Sequence, residues 1–181
     1  MENGYEGFMA SNTVIISIDS YENEELGGRL YHFYMEEGEE NRFSSLVQMI
    51  KMMEHFFDTI KRPMRSMEER YFVSKREEEL QQEQEERPLH RQEAENMAIK
   101  SGDKATFVVH VCYRQNASWQ GTVLWAEEKK KVNFRSALEL IKLMDSALSE
   151  TDSVEDKKTQ EENRVSFTTS EQDSRQDEIT V

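Results

Sequence analysis

The chain has 181 residues, of which 36% are hydrophobic and 33% charged, and its formal net charge is −14. With this composition, only part of the chain can form a hydrophobic core. The strongly negative net charge disfavours general binding to nucleic acid or anionic membranes. The single cysteine, Cys112, excludes an intrachain disulfide, and no apolar run approaches the roughly 18 residues of a membrane helix. We therefore expect a soluble cytoplasmic protein without a signal peptide.

The first predicted unit covers residues 13–60 and begins with a hairpin. β-Branched residues dominate 13–18, where alternating polarity puts Val14, Ile16 and Ile18 on one buried face. A second strand is predicted at 30–34. Asn23 and Gly28 suit the turn because both tolerate positive φ, so we predict a connecting loop of six to eight residues.

A helix follows in this unit. Asn41 stands where an N-cap is expected, and the helix should end by Arg62, before Pro63. Apolar residues recur at the spacing of a buried helix face: Phe43, Leu46, Val47, Ile50, Met53 and Phe57.

The span 67–103 is a charged linker in this prediction. Its Glu/Gln-rich part, residues 77–86, contains helix formers but almost no apolar stripe, so it is either a solvated helix or a disordered spacer.

The second predicted unit, residues 106–149, repeats the first. A strand from residue 106 should bury Phe107, Val109, Val111 and Tyr113 on one face. A second strand is predicted at 122–125, and Asn133 is the expected N-cap of a second helix. The apolar positions of that helix are Phe134, Ala137, Leu138, Ile141, Met144 and Leu148. From residue 150 to 181 an acidic, Ser/Thr-rich composition predicts a disordered tail.

The two units align with each other. Thr13 falls on Thr106 at an offset of 93 residues, which holds without a gap to Phe33 on Ala126, and the offset is 91 over the helices. Five of the eleven positions are identical between 43–53 and 134–144. The sequence therefore predicts an internal duplication of a ββα repeat.

Each unit has fewer than 50 residues, so neither is expected to bury a sufficient core alone. We predict one α+β domain, a pseudo-twofold four-stranded antiparallel sheet with both helices on one face. Residues 1–66 and 104–149 are assigned to the first and second repeat, and their net charges of −6 and +3 favour pairing within one chain. A homodimer is the alternative.

The hairpin loop of the second unit, residues 114–121, is the predicted contact surface. It combines an arginine, an indole and amides at a turn, which the first unit lacks, and binding residues concentrate in such loops. A lysine run follows nearby, and basic side chains around aromatic rings suit stacking on single-stranded nucleic acid. The candidate binding residues are Arg114, Asn116, Ser118, Trp119, Gln120, Lys129, Lys130 and Lys131.

Other chemistry is not indicated. His110 and Cys112 lie two apart on one strand, but no further ligands complete a metal site, and no nucleophile and base pair is recognisable. Half-exposed strand positions explain these two residues, and core or hairpin-end packing explains Trp119 and Trp125. We therefore predict neither catalytic residues nor a cofactor.

Two resemblances add expectations. Arg87 and Arg91, followed by Asn116, Ser118 and Gly121, resemble the Arg-x-x-x-Arg and Asp/Asn-x-Ser-x-x-Gly pair of PilZ domains, which implies cyclic di-GMP binding. That resemblance covers eleven positions without the family's apolar strand pattern, and the hairpin-helix duplication differs from the six-stranded barrel of that family.

The stretch from residue 113 to 145 resembles short proteins of unknown function from clostridia-related gut bacteria, which implies a bacterial cytoplasmic protein. The sequence as a whole favours a non-enzymatic binding module with a protein partner. A nucleic-acid or nucleotide-binding regulator is the alternative.

Overall fold

The computed structural model describes residues 10–35, 39, 41–66, 101–116 and 118–151. These form one six-stranded antiparallel sheet with two helices. The strands are β1 (Thr13–Glu22), β2 (Glu25–His32), β3 (Asn41–Phe43), β4 (Ala105–Gln115), β5 (Ser118–Trp125) and β6 (Lys130–Phe134). Helix α1 is Leu46–Thr59, and residues 137–151 form helix α2. The spatial order is β3-β2-β1-β4-β5-β6.

The α+β class is confirmed, but the predicted four-stranded sheet is wrong. Each half contributes a third strand, β3 or β6, immediately before its helix. Asn41 and Asn133 lie in these strands and are not N-caps. Their predicted capping role fails because the pairing of β3 with β2 and of β6 with β5 keeps the chain extended for several more residues.

Each helix begins instead with a serine. Ser45 Oγ accepts the Gln48 N–H at 3.2 Å, and Gln48 Oε1 accepts the Ser44 N–H at 2.9 Å. The second helix repeats this arrangement with Ser136 Oγ and Glu139, so both starts resemble capping boxes. Helix α1 ends at Thr59, as the predicted limit at Arg62 requires.

The two hairpins are tighter than predicted. β1 and β2 are joined by Asn23 and Glu24, both at positive φ, and Asn116 at φ 54° begins the matching turn between β4 and β5. Two-residue loops with positive φ suit the twist of antiparallel strands. The predicted loops of six to eight residues are therefore wrong.

Gly28 and Gly121 lie within strands and not in the turns. A Cβ at Gly28 would lie 2.1 Å from the Ser17 carbonyl oxygen, and one at Gly121 would lie 2.0 Å from that of His110. The close approach of the neighbouring strand therefore explains each glycine.

Both helices pack on the same face of the sheet. The predicted inward positions Val14, Ile16, Ile18, Phe107, Val109 and Val111 are all buried there. The buried helix residues are Met49, Met53, Phe56 and Phe57 from α1 and Leu140, Met144, Ala147 and Leu148 from α2. Of the predicted stripe, Val47 and Leu138 are 64% and 61% exposed, because at helical spacing they lie on the opposite side of each helix from these buried residues.

The opposite face of the sheet is also buried at its centre, by Ile15, Tyr31, Met35, Val108 and Leu124. Arg29 donates to both carboxylate oxygens of Asp19, at 2.8 and 2.6 Å, on this side. No helix among the described residues is long and apolar enough to cross a membrane. The predicted linker, apart from its last residues, and the predicted tail beyond residue 151 lie outside the described residues.

Candidate ligand site beside Trp125

The predicted contact loop does not present its arginine and indole to solvent. Arg114 is 5% exposed and Trp119 is 2% exposed, whereas Tyr113, predicted to be buried, is 57% exposed. The cause is a β-bulge, because the pairing of β4 with β5 skips Cys112 between Val111 and Tyr113. The extra residue reverses the alternation and turns Arg114 toward the helices.

Arg114 belongs to an internal ionic cluster. Its guanidinium pairs with Glu54 and, at 2.7 Å, with Asp58 on α1, and lies 5.8 Å from the centre of the Phe57 ring. Arg65 pairs with the same two carboxylates. Trp119 Nε1–H donates to Glu54. Arg114 and Trp119 thus hold the β4–β5 hairpin to α1. The predicted exposure of the 114–121 loop is wrong at both residues, whereas the interpretation of Trp119 as a core residue is confirmed.

The remaining predicted loop residues are separated from one another. Asn116 is exposed at the turn, and Gln120 is half-buried on β5. Ser118 Oγ accepts the backbone N–H of Ala137 at 3.1 Å, at the start of α2.

The lysine run lies at the edge of the sheet. Lys129 is exposed at φ 54° in the turn before β6, and Lys130 and Lys131 are exposed on β6. The Lys130 ammonium lies 5.2 Å from the centre of the Trp125 ring. The structure thus brings Lys130 to Trp125 and not to the 114–121 loop.

A cavity of about 150 Å³ lies beside Trp125, between the sheet and α2. The sheet lines it with Phe107, Val123, Trp125, Lys130 and Val132, and the helix with Leu143, Ser146, Ala147 and Glu150. Lys130 Nζ is 3.8 Å from a Glu150 carboxylate oxygen, so an ion pair joins its two walls.

Trp125 carries an unused hydrogen-bond donor. Among the described residues, its Nε1 is the only buried side-chain nitrogen or oxygen atom that lacks a hydrogen-bond partner. An unpaired buried donor is unfavourable by about 1–3 kcal/mol, so this indole is held in place by its packing and not by a hydrogen bond.

The first half fills the matching position with its own side chain. In the alignment of the two units, Trp125 corresponds to His32 and Ala147 to Phe56. The Phe56 ring stacks on His32 with centroids 4.1 Å apart and an interplanar angle of 9°. The second half therefore keeps the aromatic platform but has a methyl group where the first half has a ring.

In the first half, where Phe56 covers His32, burial determines the protonation of the histidine. It lowers the pKa of His32 from its ordinary 6.5 to about 4, although Glu39 opposes the shift. The neutral ring fits its contacts, because Nδ1 accepts the Tyr34 N–H at 3.3 Å. Burial also lowers the pKa of His110, which lies on the opposite face of the sheet. No three acidic, histidine or cysteine side chains among the described residues are grouped to hold a metal ion.

Sequence reasoning missed this cavity because its decisive residue is an alanine. The signal available in the sequence was the alignment of Ser146 and Ala147 in the second helix with the larger His55 and Phe56 in the first. Comparison with protein-family models, curated proteins and solved structures gives no match to this chain.

Proposed function

We propose that the protein is a non-enzymatic binding module built by duplication of one strand-hairpin-helix unit, and that the cavity beside Trp125 is its ligand site. In this proposal one copy has kept a closed, structural version of the position, and the other has opened it. The proposal replaces the 114–121 loop as the contact surface.

The strand register supports the duplication. Ile15 on β1 lies opposite Val108 on β4, the residue with which it aligns in sequence, as a twofold axis between the central strands requires. The bulge in β1 skips Asp19 and the bulge in β4 skips Cys112, which are also aligned positions.

Contacts between the halves support it too. Arg114 on β4 pairs with Glu54 on α1, and Tyr21 on β1 donates to Asp145 on α2. Tyr21 aligns with Arg114, and Glu54 aligns with Asp145. Each hairpin therefore contacts the helix of the other half, and the contacting residues occupy aligned positions in the two halves.

The observation that carries the binding proposal is that the second half has Ala147 at the position where the first half has Phe56. A partly open cavity of about 150 Å³ is large enough for a benzene-sized molecule, and its lining is apolar except for Lys130, Ser146 and Glu150. Its size thus matches the single ring that the first half places at the equivalent position. Burial of a ligand ring against Trp125 would supply the affinity.

Nucleotide or nucleic-acid binding is the second candidate, and one observation favours it. The exposed Lys130 lies over Trp125, with Lys129 exposed in the turn before it, and bases stack on aromatic side chains beside basic residues. Arg114 is committed to Glu54 and Asp58, and the Arg87 to Arg91 part of the PilZ-like pattern lies outside the described residues. The aromatic cavity is therefore our primary proposal.

The test uses the two tryptophan indole N–H signals in ¹H–¹⁵N spectra during titration with indole or phenol. We expect the Trp125 signal to move saturably in the millimolar range, while the Trp119 signal, whose donor is bonded to Glu54, stays in place. An adenosine monophosphate titration separates the second candidate.

Ala147→Phe should close the cavity as Phe56 does and weaken fragment binding at least tenfold. Leu138→Phe adds the same ring to an exposed position of α2 and should leave binding unchanged. Ala147→Leu serves if the phenylalanine does not fit. Binding of equal strength in a folded variant with Leu or Phe at position 147 would contradict the proposal.

A further inference from the structure

We infer that the natural occupant of the cavity is an aromatic side chain of an extended, acidic peptide that pairs with β6 as an added strand. The inference rests on the proposed function and names the ligand class for the same site. It draws on the sheet edge, the facing of side chains along that edge, and the ring already present in the first half.

β6 ends the sheet, and within the described part of the chain no strand pairs with its outer side. Residues 130–133 are exposed, including Val132 at 43%. A strand at a sheet edge presents main-chain N–H and C=O groups to any extended segment that lies beside it. In recognition by strand addition these groups give affinity, and pockets for alternate side chains give specificity.

The cavity lies on the helix-covered face of the sheet, which such a strand would share. Val132 pairs with Val123 and Lys130 pairs with Trp125, and all four residues line the cavity. Side chains alternate along an extended segment. Every second residue of a peptide beside β6 would therefore lie on the side of α2, where Ala147 leaves room.

An aromatic residue fits this position better than an aliphatic one. Phe56 shows that a ring can lie flat on the residue at the Trp125 position while packed against the same sheet face. Stacked aromatic pairs contribute about 0.5–1.5 kcal/mol beyond the area that they bury.

The charge of the edge selects the flanking residues. Between residues 129 and 135 the chain has three lysines and one arginine and no acidic residue. Lys130 pairs with Glu128 at 3.6 Å and with Glu150 at 3.8 Å, and Arg135 pairs with Glu139 at 3.6 Å. Exposed ion pairs of this kind contribute at most about 1 kcal/mol, so a peptide carboxylate can replace the partner of either cation. Lysines on an edge strand disfavour pairing with an identical edge, because like charges would then face each other. The same positions attract an acidic segment, so we infer an acidic partner and not a second copy of this chain.

The opposite edge of the sheet does not offer an equivalent site. β3 has only three residues. In the first half, the position that corresponds to the cavity is occupied by the Phe56 ring, which stacks on His32. The first half therefore has a shorter edge strand than the second and no open position beside its aromatic pair.

The experiment uses the full chain and a synthetic heptapeptide with phenylalanine at its centre, a threonine on each side of it and two glutamates at each end. We expect saturable binding by titration calorimetry or by the Trp125 indole signal, at least tenfold tighter than for the same peptide with a central alanine. The amides of β6 should gain hydrogen-exchange protection in the complex. A phenylalanine peptide with N-methylated flanking amides keeps the ring but cannot form the main-chain ladder, so it should bind at least tenfold more weakly.

The outcomes separate the two proposals. Equal binding of the alanine peptide or of the N-methylated peptide, or protection that spares β6, would overturn the inference. Fragment binding at Trp125 without binding of the peptide would also overturn it and leave the proposed function standing. Absence of both would overturn the proposed function itself. Ala147→Phe should abolish peptide binding and Leu138→Phe should not.

Discussion

At the scale of single residues, position within the pairing pattern decides what a side chain does. Arg114 and Tyr113 are neighbours, yet the bulge at Cys112 buries the arginine against Glu54 and exposes the tyrosine. His32 and Trp125 occupy aligned positions, yet one is covered by Phe56 and the other lines a cavity. Neither difference follows from the residue types alone.

His32 gives a prediction about pH. Its pKa is about 4 in the folded protein and about 6.5 in an unfolded chain, so the folded form loses stability as the pH falls from 6.5 to 4. The pKa difference of His32 makes the free energy of unfolding about 3 kcal/mol higher above pH 6.5 than below pH 4. His32→Phe keeps a ring against Phe56 but cannot be protonated.

Urea unfolding of both proteins between pH 4 and 7.5 measures this effect. We expect the variant to lose less stability than the native chain over that range, with His110 providing the same background in both. Parallel stability curves for the two proteins would show that His32 has the same pKa in the folded and the unfolded chain, which would contradict the prediction.

At the scale of elements, the starts of the helices depend on hydrogen bonds between Ser45 and Gln48 and between Ser136 and Glu139. Replacing a capping serine with alanine typically reduces stability by about 1 kcal/mol. We expect Ser45→Ala and Ser136→Ala each to lower the free energy of unfolding by about that amount.

Asn41→Ala and Asn133→Ala are the matched controls for the capping prediction, because these asparagines lie in β3 and β6. Chemical denaturation of the four variants gives the comparison. A larger loss at the asparagines than at the serines would mean that the helices begin earlier than Leu46 and residue 137.

At the scale of the whole molecule, both halves contribute to one core, and the ionic cluster at Arg114 and the Tyr21 contact with Asp145 cross between them. Leu140 is fully buried in that core. A buried leucine-to-alanine change reduces stability by about 2–5 kcal/mol. We expect Leu140→Ala to destabilise β1 and β4 by the same amount, since neither half has a core of its own.

Native-state hydrogen exchange of the slowest amides in β1 and β4 measures this coupling. Leu138→Ala, at an exposed position of the same helix, should change either strand by less than about 0.5 kcal/mol. Loss of protection confined to the second half in Leu140→Ala would establish two independently folding units.

The sequence alone determined the α+β class, the helical segments and the inward faces of the central strands, because alternation with period two and recurrence at helical spacing are local properties of the chain. It correctly placed Val14, Ile16, Phe107 and Val109 toward the core. The end of the first helix before Pro63 was equally legible, since proline restricts the backbone before it.

Only the tertiary structure decided the rest. The bulges, the third strand of each half and the burial of Arg114 depend on which strands pair and in what register, and no local pattern reports that pairing. The cavity exists because Ala147 does not reach Trp125 across the space that Phe56 closes against His32. An alanine on a buried stripe signals burial in the sequence, whereas the size of the space beside it is set by the elements that pack around it.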